Sequence, residues 1–318
     1  RKLSFKMEAV ILNNIVKTYD NGKVHAVRDV SFSVHPGELF GLIGPDGAGK
    51  TSLFRMLTTL LLPDGGNASV AGLDVVKDYK DIRNCVGYMP GKFSLYQDLT
   101  VEENLIFFAT LFGTSVGENY DLVKEIYVQI EAFKNRRAGK LSGGMKQKLA
   151  LCCALIHKPK VLFLDEPTTG VDSVSRKEFW QMLKRLKQQN ITILVSTPYM
   201  DEAVLCDRIA LMQDGKILSI DTPGEITDAY PDKLYAVQSA NTVKLLRDLR
   251  NYEVVKTCYA FGENLHVSFV SRDETVIPVM KKYLEVEGHR DIQVHSVRPT
   301  VEDCFMHLMV THEEGKGR

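Results

Sequence analysis

The sequence predicts an α/β protein with a mostly parallel sheet and a helical insertion, followed by a smaller α+β module. From about residue 10 to residue 221, short apolar runs alternate with helical patterns, as in sheets whose strands are joined by crossover helices. From residue 97 the pattern turns predominantly helical. Beyond residue 224 it changes to the order strand, helix, strand, strand, helix, strand.

In the first region, residues 38–43, 160–164 and 191–197 are largely apolar runs of strand length. The insertion covers about residues 97–158, and its first helix is announced by Thr100-Val101-Glu102-Glu103, a Thr-x-x-Glu capping box. Residues 216–220 form the last strand before Asp221-Thr222-Pro223-Gly224. That turn-rich punctuation is the expected boundary between a first domain, 1–223, and a second, 224–318.

In the second domain, 233–238 reads as strand, 241–250 as helix, 254–261 and 265–270 as a hairpin, and 292–297 as strand. A second helix starts near Thr275 and runs to about Val286, which leaves Pro278 in its first turn, where a missing N–H is tolerated. The βαββαβ order is that of a ferredoxin-like module. Thr300-Val301-Glu302-Asp303 caps a closing helix.

Composition narrows the function classes. Lys plus Arg total 40 and Asp plus Glu total 40, with 44% hydrophobic residues, which fits neither a disordered tail nor a polycationic nucleic-acid coat. Cys85, Cys152, Cys153, Cys206, Cys258 and Cys304 show no Cys-x-x-Cys pair or zinc spacing, so they read as small buried hydrophobes in a reducing compartment. The longest apolar stretches fall well short of the roughly 18–20 residues that cross a bilayer, so any membrane role is expected to come through a partner chain. The chain opens on Arg1, its first methionine is Met7, and residues 1–6 receive no function.

The chemistry centres on Gly44-Pro45-Asp46-Gly47-Ala48-Gly49-Lys50-Thr51. The run satisfies Gly-x4-Gly-Lys-Thr, directly after a predicted strand and directly before an apolar helix. Its glycines let successive backbone N–H groups turn inward around phosphates, the helix adds its positive end, Lys50 neutralises charge, and Thr51 offers a hydroxyl to Mg²⁺.

A second element, Val161-Leu162-Phe163-Leu164-Asp165-Glu166-Pro167, is an apolar strand ending in two acids. Such a pair more often caps a helix, but beside a phosphate loop Asp165 is expected to hold Mg²⁺ and Glu166 to take a proton from the attacking water. In Leu141-Ser142-Gly143-Gly144-Met145, small residues open a helix and leave its first N–H groups bare. This is a second anion site, and one triphosphate rarely needs two on the same chain.

Loop, Leu-Ser-Gly-Gly signature and Asp-Glu pair together, in this order, resemble the nucleotide-binding subunit of ATP-binding cassette (ABC) transporters over about residues 10–221. The resemblance implies a P-loop NTPase cassette that binds ATP and Mg²⁺. Two cassettes would face head to tail, each ATP clamped between the loop of one and the signature of the other. By position, Tyr19 would stack on adenine, Ser52 would join the nucleotide-binding loop, and Ser142, Gly143 and Gly144, flanked by Leu141 and Met145, would reach the partner's γ-phosphate. Asp172 would sit at the dimer seam. The segments 93–96, 197–203 and 299–305 are similar to those of prokaryotic multidrug or polysaccharide exporters. That implies membrane permease subunits as partners, no nucleic acid, a peripheral location on the cytoplasmic face of the membrane, and residues 91–105 abutting the permease.

Two departures stand out. Where the family usually has a glutamine, this chain has Gly91; where it usually has a histidine, it has Pro198. Losing a positioned donor typically costs about a hundred- to a thousand-fold in rate, so the chain's own site is expected to hydrolyse slowly. Asp46, where Asn is common, and Met145, where Gln is common, are smaller departures. An intact signature beside a depleted site favours an unequal pair of cassettes over a homodimer. The alternatives are a cassette that senses ATP without turnover, and a soluble factor built on the same fold, which usually carries two cassettes or a long coiled coil.

Overall fold

The computed structural model describes residues 8–271, 273 and 275–314; residues 1–6 lie outside them. It divides into two compact units, Arg1–Pro223 and Gly224–Arg318.

The first unit contains β1 (Val10–Tyr19), β2 (Val24–Val34), β3 (Leu39–Ile43), α1 (Lys50–Leu57), β4 (Gly65–Val70), β5 (Leu73–Asp74), α2 (Tyr79–Cys85) and β6 (Val86–Met89). These are followed by α3 (Val101–Leu111), α4 (Tyr120–Glu131), α5 (Gly143–Leu155), β7 (Val161–Asp165), α6 (Ser173–Gln188), β8 (Thr192–Thr197), β9 (Arg208–Gln213) and β10 (Lys216–Asp221).

The central sheet runs β10-β9-β3-β8-β7-β6. Its pairings are parallel except at the β10 edge, which returns antiparallel to β9. Every residue of β3, β7 and β8 is buried, as expected of strands covered on both faces. Phe54 of α1 meets Phe163 of β7 edge to face at 5.6 Å, fixing the helix that follows the loop against the strand that ends in Asp165.

One part of this unit departs from the alternating α/β pattern. Strands β2-β1-β4-β5 form a separate antiparallel sheet, in which β1 pairs with both β2 and β4. Its strands carry mixed burial and several register shifts, so neither a continuous apolar run nor a clean alternation marks them.

The helical stretch holds α3, α4 and α5, with α3 and α4 packed on α5. The capping box forms as expected: Thr100 Oγ1 accepts from Glu103 N, and Glu103 Oε2 accepts from Thr100 N at 2.8 Å. Fully buried Asn104 donates to the carbonyls of Tyr96, Leu99 and Thr100 and accepts from Tyr96 N. It therefore ties the loop ahead of α3 to that helix. All six cysteines are free, and five are buried.

Pro223 does not simply end a domain in a turn. It is the first residue of α7 (Pro223–Asp228), a position where its fixed φ suits a helix and no N–H is missed. The second unit continues with β11 (Leu234–Gln238), α8 (Thr242–Arg250), β12 (Val255–Phe261), β13 (Asn264–Phe269), α9 (Val276–Val286), β14 (Gln293–Val297) and α10 (Val301–Glu314). The sheet order is β12-β13-β11-β14, antiparallel throughout, which is the split βαββαβ arrangement. Pro278 lies in the first turn of α9. His266 Nδ1 meets Asp303 Oδ1 at 2.9 Å, pinning α10 to β13.

Candidate functional site

The site is built where β3, β7 and β8 end side by side. Residues 44–49 leave β3 and turn into α1, whose N-cap, Gly49, has φ +105°. A Cβ there would lie 2.1 Å from Ala26 O, and one on Gly44 would lie 2.1 Å from Met212 O. Only glycine fits either position. Gly44 N donates to Thr197 O of β8 at 3.2 Å, which seats the loop on the sheet.

Lys50, 3% exposed, folds back along the loop. Its ammonium donates to Gly44 O at 2.8 Å and Pro45 O at 3.0 Å, and lies 3.1 Å from Glu166 Oε1. Thr51 Oγ1 donates to Asp165 Oδ1 at 3.2 Å. Asp46 and Gly47 are exposed at the tip, whereas Ala48 is buried beneath them. The chain thus brings Lys50, Thr51, Asp165 and Glu166 into one cluster.

Ser196, the penultimate residue of β8, is a member of this cluster to which sequence reasoning assigned no role. Its hydroxyl donates to Asp165 Oδ1 at 2.6 Å and accepts from Glu166 N at 3.0 Å. Glu166 has φ +49°, a left-handed conformation uncommon for a residue with a Cβ. The bonds from its N–H to Ser196 O and Oγ hold the bend that turns its side chain toward Lys50. A serine in an apolar strand, one residue short of the strand end, was the available signal.

The donor set fits Mg²⁺. Asp165 is 2% exposed, and among the described residues both hydrogen bonds to its carboxylate fall on Oδ1, so Oδ2 accepts none there. One carboxylate and one hydroxyl suit a metal that keeps waters and takes its other ligands from substrate phosphates. Among the described residues there is no group of three or more His, Cys, Asp or Glu side chains that would form a protein-only cage.

Tyr19, at the end of β1, is 37% exposed, and its hydroxyl lies 3.0 Å from Ser52 Oγ on α1. The strand end is held by Asp64, whose carboxylate accepts from Lys17 Nζ, Thr18 N and Thr18 Oγ1 at 2.7–2.8 Å. These bonds, the one to Lys17 foremost, hold its carboxyl down from 3.8 to about 2. Gly91 flanks the acids, since a Cβ on it would lie 3.0 Å from Asp165 O. Pro198 directly follows Thr197, the residue that anchors Gly44.

Among the described residues the signature is not bonded to this cluster, although Gly143 lines one cleft with Gly91 and Glu166. Leu141 is buried, Ser142 and Gly143 are exposed, and Gly144 and Met145 are half-buried. Ser142 is the N-cap of α5, accepting from Met145 N, which leaves its hydroxyl proton free to donate outward. No hydrogen bond among the described residues joins 141–145 to 44–52. Its neighbours are on the α6 side: Gly144 packs so closely on Ser175 that a Cβ would lie 2.8 Å from Oγ. Asp172 caps α6, accepting from Val174 N and Ser175 N. The Ser175 bond chiefly holds its carboxyl below the usual range.

A groove of about 410 Å³ lies beside the site, lined among others by Tyr88, Pro90, Leu95, Phe108, Phe112 and His157. His157 stacks on Phe112 at 3.8 Å and meets Val86 O through Nε2, while its buried Nδ1 has no partner among the described residues. Burial pushes the His157 imidazole down and the Tyr88 phenol up to about 12. No helix among the described residues is long and apolar enough to cross a membrane.

Comparison with known proteins gives this architecture a family. Residues 27–169 match the model of the ABC transporter family. The chain is 38% identical over 308 residues to the probable multidrug ABC transporter ATP-binding protein YbhF of Escherichia coli K12, covering 95% of this chain and 52% of that protein. It therefore spans about half the length of that relative. It is 39% identical over 221 residues to the doxorubicin resistance ATP-binding protein DrrA of Mycobacterium tuberculosis, covering 69% of this chain and 67% of that one. Among solved structures, the dimeric ATP-binding cassette MJ0796, bound to ADP and Pi, aligns with a TM-score of 0.61 at 26% identity, over 67% of this chain and 98% of that one. A glycine-walled loop on a parallel sheet, a buried Asp165 and a half-buried Glu166 at the end of β7 and these relatives agree: the chain belongs to the ABC transporter ATP-binding family.

Proposed function

We propose that this chain is the ATP-binding subunit of an ABC exporter, in which two cassettes close on ATP and its hydrolysis drives a membrane permease. The observation that carries this reading is the convergence of Lys50, Thr51, Asp165 and Glu166 at the ends of three adjacent strands. The names of YbhF and DrrA, which refer to multidrug transport and doxorubicin resistance, support export as the task. In this reading residues 1–223 are the cassette and 224–318 a separate C-terminal domain.

The residues then act as follows. Backbone N–H groups of 44–49 and the Lys50 ammonium receive the β- and γ-phosphates, Tyr19 stacks on the adenine, and Ser52 holds the Tyr19 hydroxyl. Thr51 and Asp165 hold Mg²⁺, which when bound screens phosphate charge. Phosphate oxygens compete with Glu166 for Lys50, and the released carboxylate accepts the proton of the water that attacks the γ-phosphorus. Ser142, Gly143 and Gly144 present a hydroxyl and bare N–H groups to the nucleotide on a second cassette, with Asp172 at the seam. The dimeric MJ0796 cassette supports such pairing.

At this chain's own nucleotide, Gly91 and Pro198 supply no side-chain donor, so turnover here is slow. A partner cassette carrying both donors hydrolyses faster against Ser142–Gly144 of this chain, which favours a heterodimer. The groove containing His157 and the neighbouring segment 91–105 receive the permease, and the subunit sits peripherally on the cytoplasmic face of the membrane.

The decisive experiment titrates Mg²⁺-ATP into the purified chain, then measures hydrolysis alone and with a candidate partner cassette. Binding that disappears in Lys50→Ala, slow turnover alone and faster turnover in the mixture are expected. Absence of binding refutes the proposal, and vigorous turnover by the chain alone refutes the unequal pair. The same two departures favour a second reading, a cassette that senses ATP without hydrolysing it. Failure of every partner to raise turnover would select it.

A further inference from the structure

One buried carboxylate outside the assigned residues is bonded to both chain segments that carry the acids and the loop anchor. Glu202, 2% exposed, lies in a short 3₁₀ helix, Met200–Leu205, just after β8. Its Oε1 accepts from Thr168 Oγ1 at 2.8 Å and its Oε2 from Thr197 Oγ1 at 2.5 Å. Thr168 comes two residues after Glu166, and Thr197 immediately precedes Pro198. Both threonines are fully buried, at 1% and 0% exposure. Arg176 Nε stands 3.8 Å from Glu202 Oε1, and its guanidinium lies over the Tyr199 ring at 4.4 Å.

The direction of each bond is set by its neighbours. Thr197 Oγ1 already accepts from Tyr199 N at 3.1 Å, so its single proton goes to Glu202. Thr168 Oγ1 likewise donates. An amide at position 202 would turn an N–H toward one of these hydroxyls and lose an acceptor, although its shape would be unchanged. Burying a carboxylate is costly unless each oxygen is bonded. Here the bonded partners are the two segments whose spacing the hydrolytic site requires.

We propose that Glu202 is a positioning residue for hydrolysis, clipping the loop after β7 to the end of β8 and so fixing Glu166 relative to the phosphate loop. The proposal rests on the ATP-hydrolysing role given above. Glu202→Gln, in the full chain assembled with a partner cassette whose own catalytic carboxylate has been replaced, should lower the hydrolysis rate at this chain's nucleotide roughly tenfold to a hundredfold, the usual cost of losing a supporting hydrogen-bond partner. The Kd for Mg²⁺-ATP should stay within about twofold, because Lys50 and Thr51 are untouched. Thr168→Val should reproduce the loss, whereas Thr168→Ser, which keeps the hydroxyl, should not.

A second readout needs no turnover. Amide hydrogen exchange of residues 166–171 and 197–202 should quicken in Glu202→Gln in the absence of nucleotide. Unchanged exchange in either segment overturns the clip, as does an unchanged hydrolysis rate at this chain's nucleotide in Glu202→Gln or Thr168→Val. If the assembly binds ATP without turnover, the hydrolytic role fails on its own, and the exchange measurement still decides the clip.

Discussion

Thr51 Oγ1 donates to Asp165 Oδ1 across 3.2 Å, joining residues 114 positions apart. The bond holds a hydroxyl and a carboxylate close together at the mouth of a parallel sheet, where α/β proteins bind ligands. Asp165→Asn keeps the shape and removes the charge. It should weaken Mg²⁺-dependent nucleotide binding about 10- to 150-fold, the range for a hydrogen bond to a charged group. Binding measured in chelator should barely change. Equal losses with and without Mg²⁺, read by calorimetric titration, would assign Asp165 a purely structural task.

The two missing donors are not equally restorable. Pro198 is only half-buried at a strand end, so Pro198→His should fold and raise turnover at this chain's nucleotide. A gain of about tenfold or more is expected, given that one positioned donor is typically worth a hundred- to a thousand-fold. Gly91→Gln faces Asp165 O at 3.0 Å from its new Cβ, and should lower the melting temperature and restore less. Single-turnover hydrolysis and thermal melts of both variants check the asymmetry; a larger gain from Gly91→Gln contradicts it.

Two glycines of the loop differ in the same way. Gly49→Ala forces a Cβ to 2.1 Å from Ala26 O at φ +105°, so nucleotide binding should be lost although Lys50 remains. Gly47 has φ +81° with nothing within 4 Å of the new Cβ. Gly47→Ala should therefore cost only the backbone strain of about 1–2 kcal/mol and keep measurable binding. Comparable binding by the two variants would show that the contact with β2 does not shape the loop.

Asp64 sets a pH dependence at the end of β1. Its carboxyl is held down from 3.8 to about 2 by the bonds to Lys17 and Thr18. A depressed carboxylate stabilises the fold above its unfolded value, and that stabilisation fades as pH falls from about 4 to about 2. With 38% of the side chain exposed, solvent screens part of the effect. Asp64→Asn should melt lower than wild type at pH 7, with the gap narrowing below pH 4. A constant gap from pH 7 to pH 2 would contradict this origin.

Much of the architecture was legible because it is local. The apolar runs of β3, β7 and β8, the capping box at Thr100 and the first-turn proline of α9 each announce themselves within a few residues. The order of runs in the second unit was enough to foresee the β12-β13-β11-β14 sheet. What escaped depends on distant pairing. The sheet of β1, β2, β4 and β5 joins strands with broken registers, and β4, Gly-Gly-Asn-Ala-Ser-Val, carries little apolar signal. Pro223 marked a break in the pattern but also opened a helix. At the site, the loop and acids stand out as motifs, whereas Ser196 and Glu202 matter only through what the fold sets against them. No spacing rule connects Glu202 to Thr168.

The left-handed bend at Glu166 also bears on how such a subunit decays or is engineered. Glycine would occupy that φ without strain, so Glu166→Gly should leave the melting temperature unchanged or slightly raised while abolishing chemistry. Quality control that senses only folding would pass such a copy, which would still take its place in the assembly with its own nucleotide site silent.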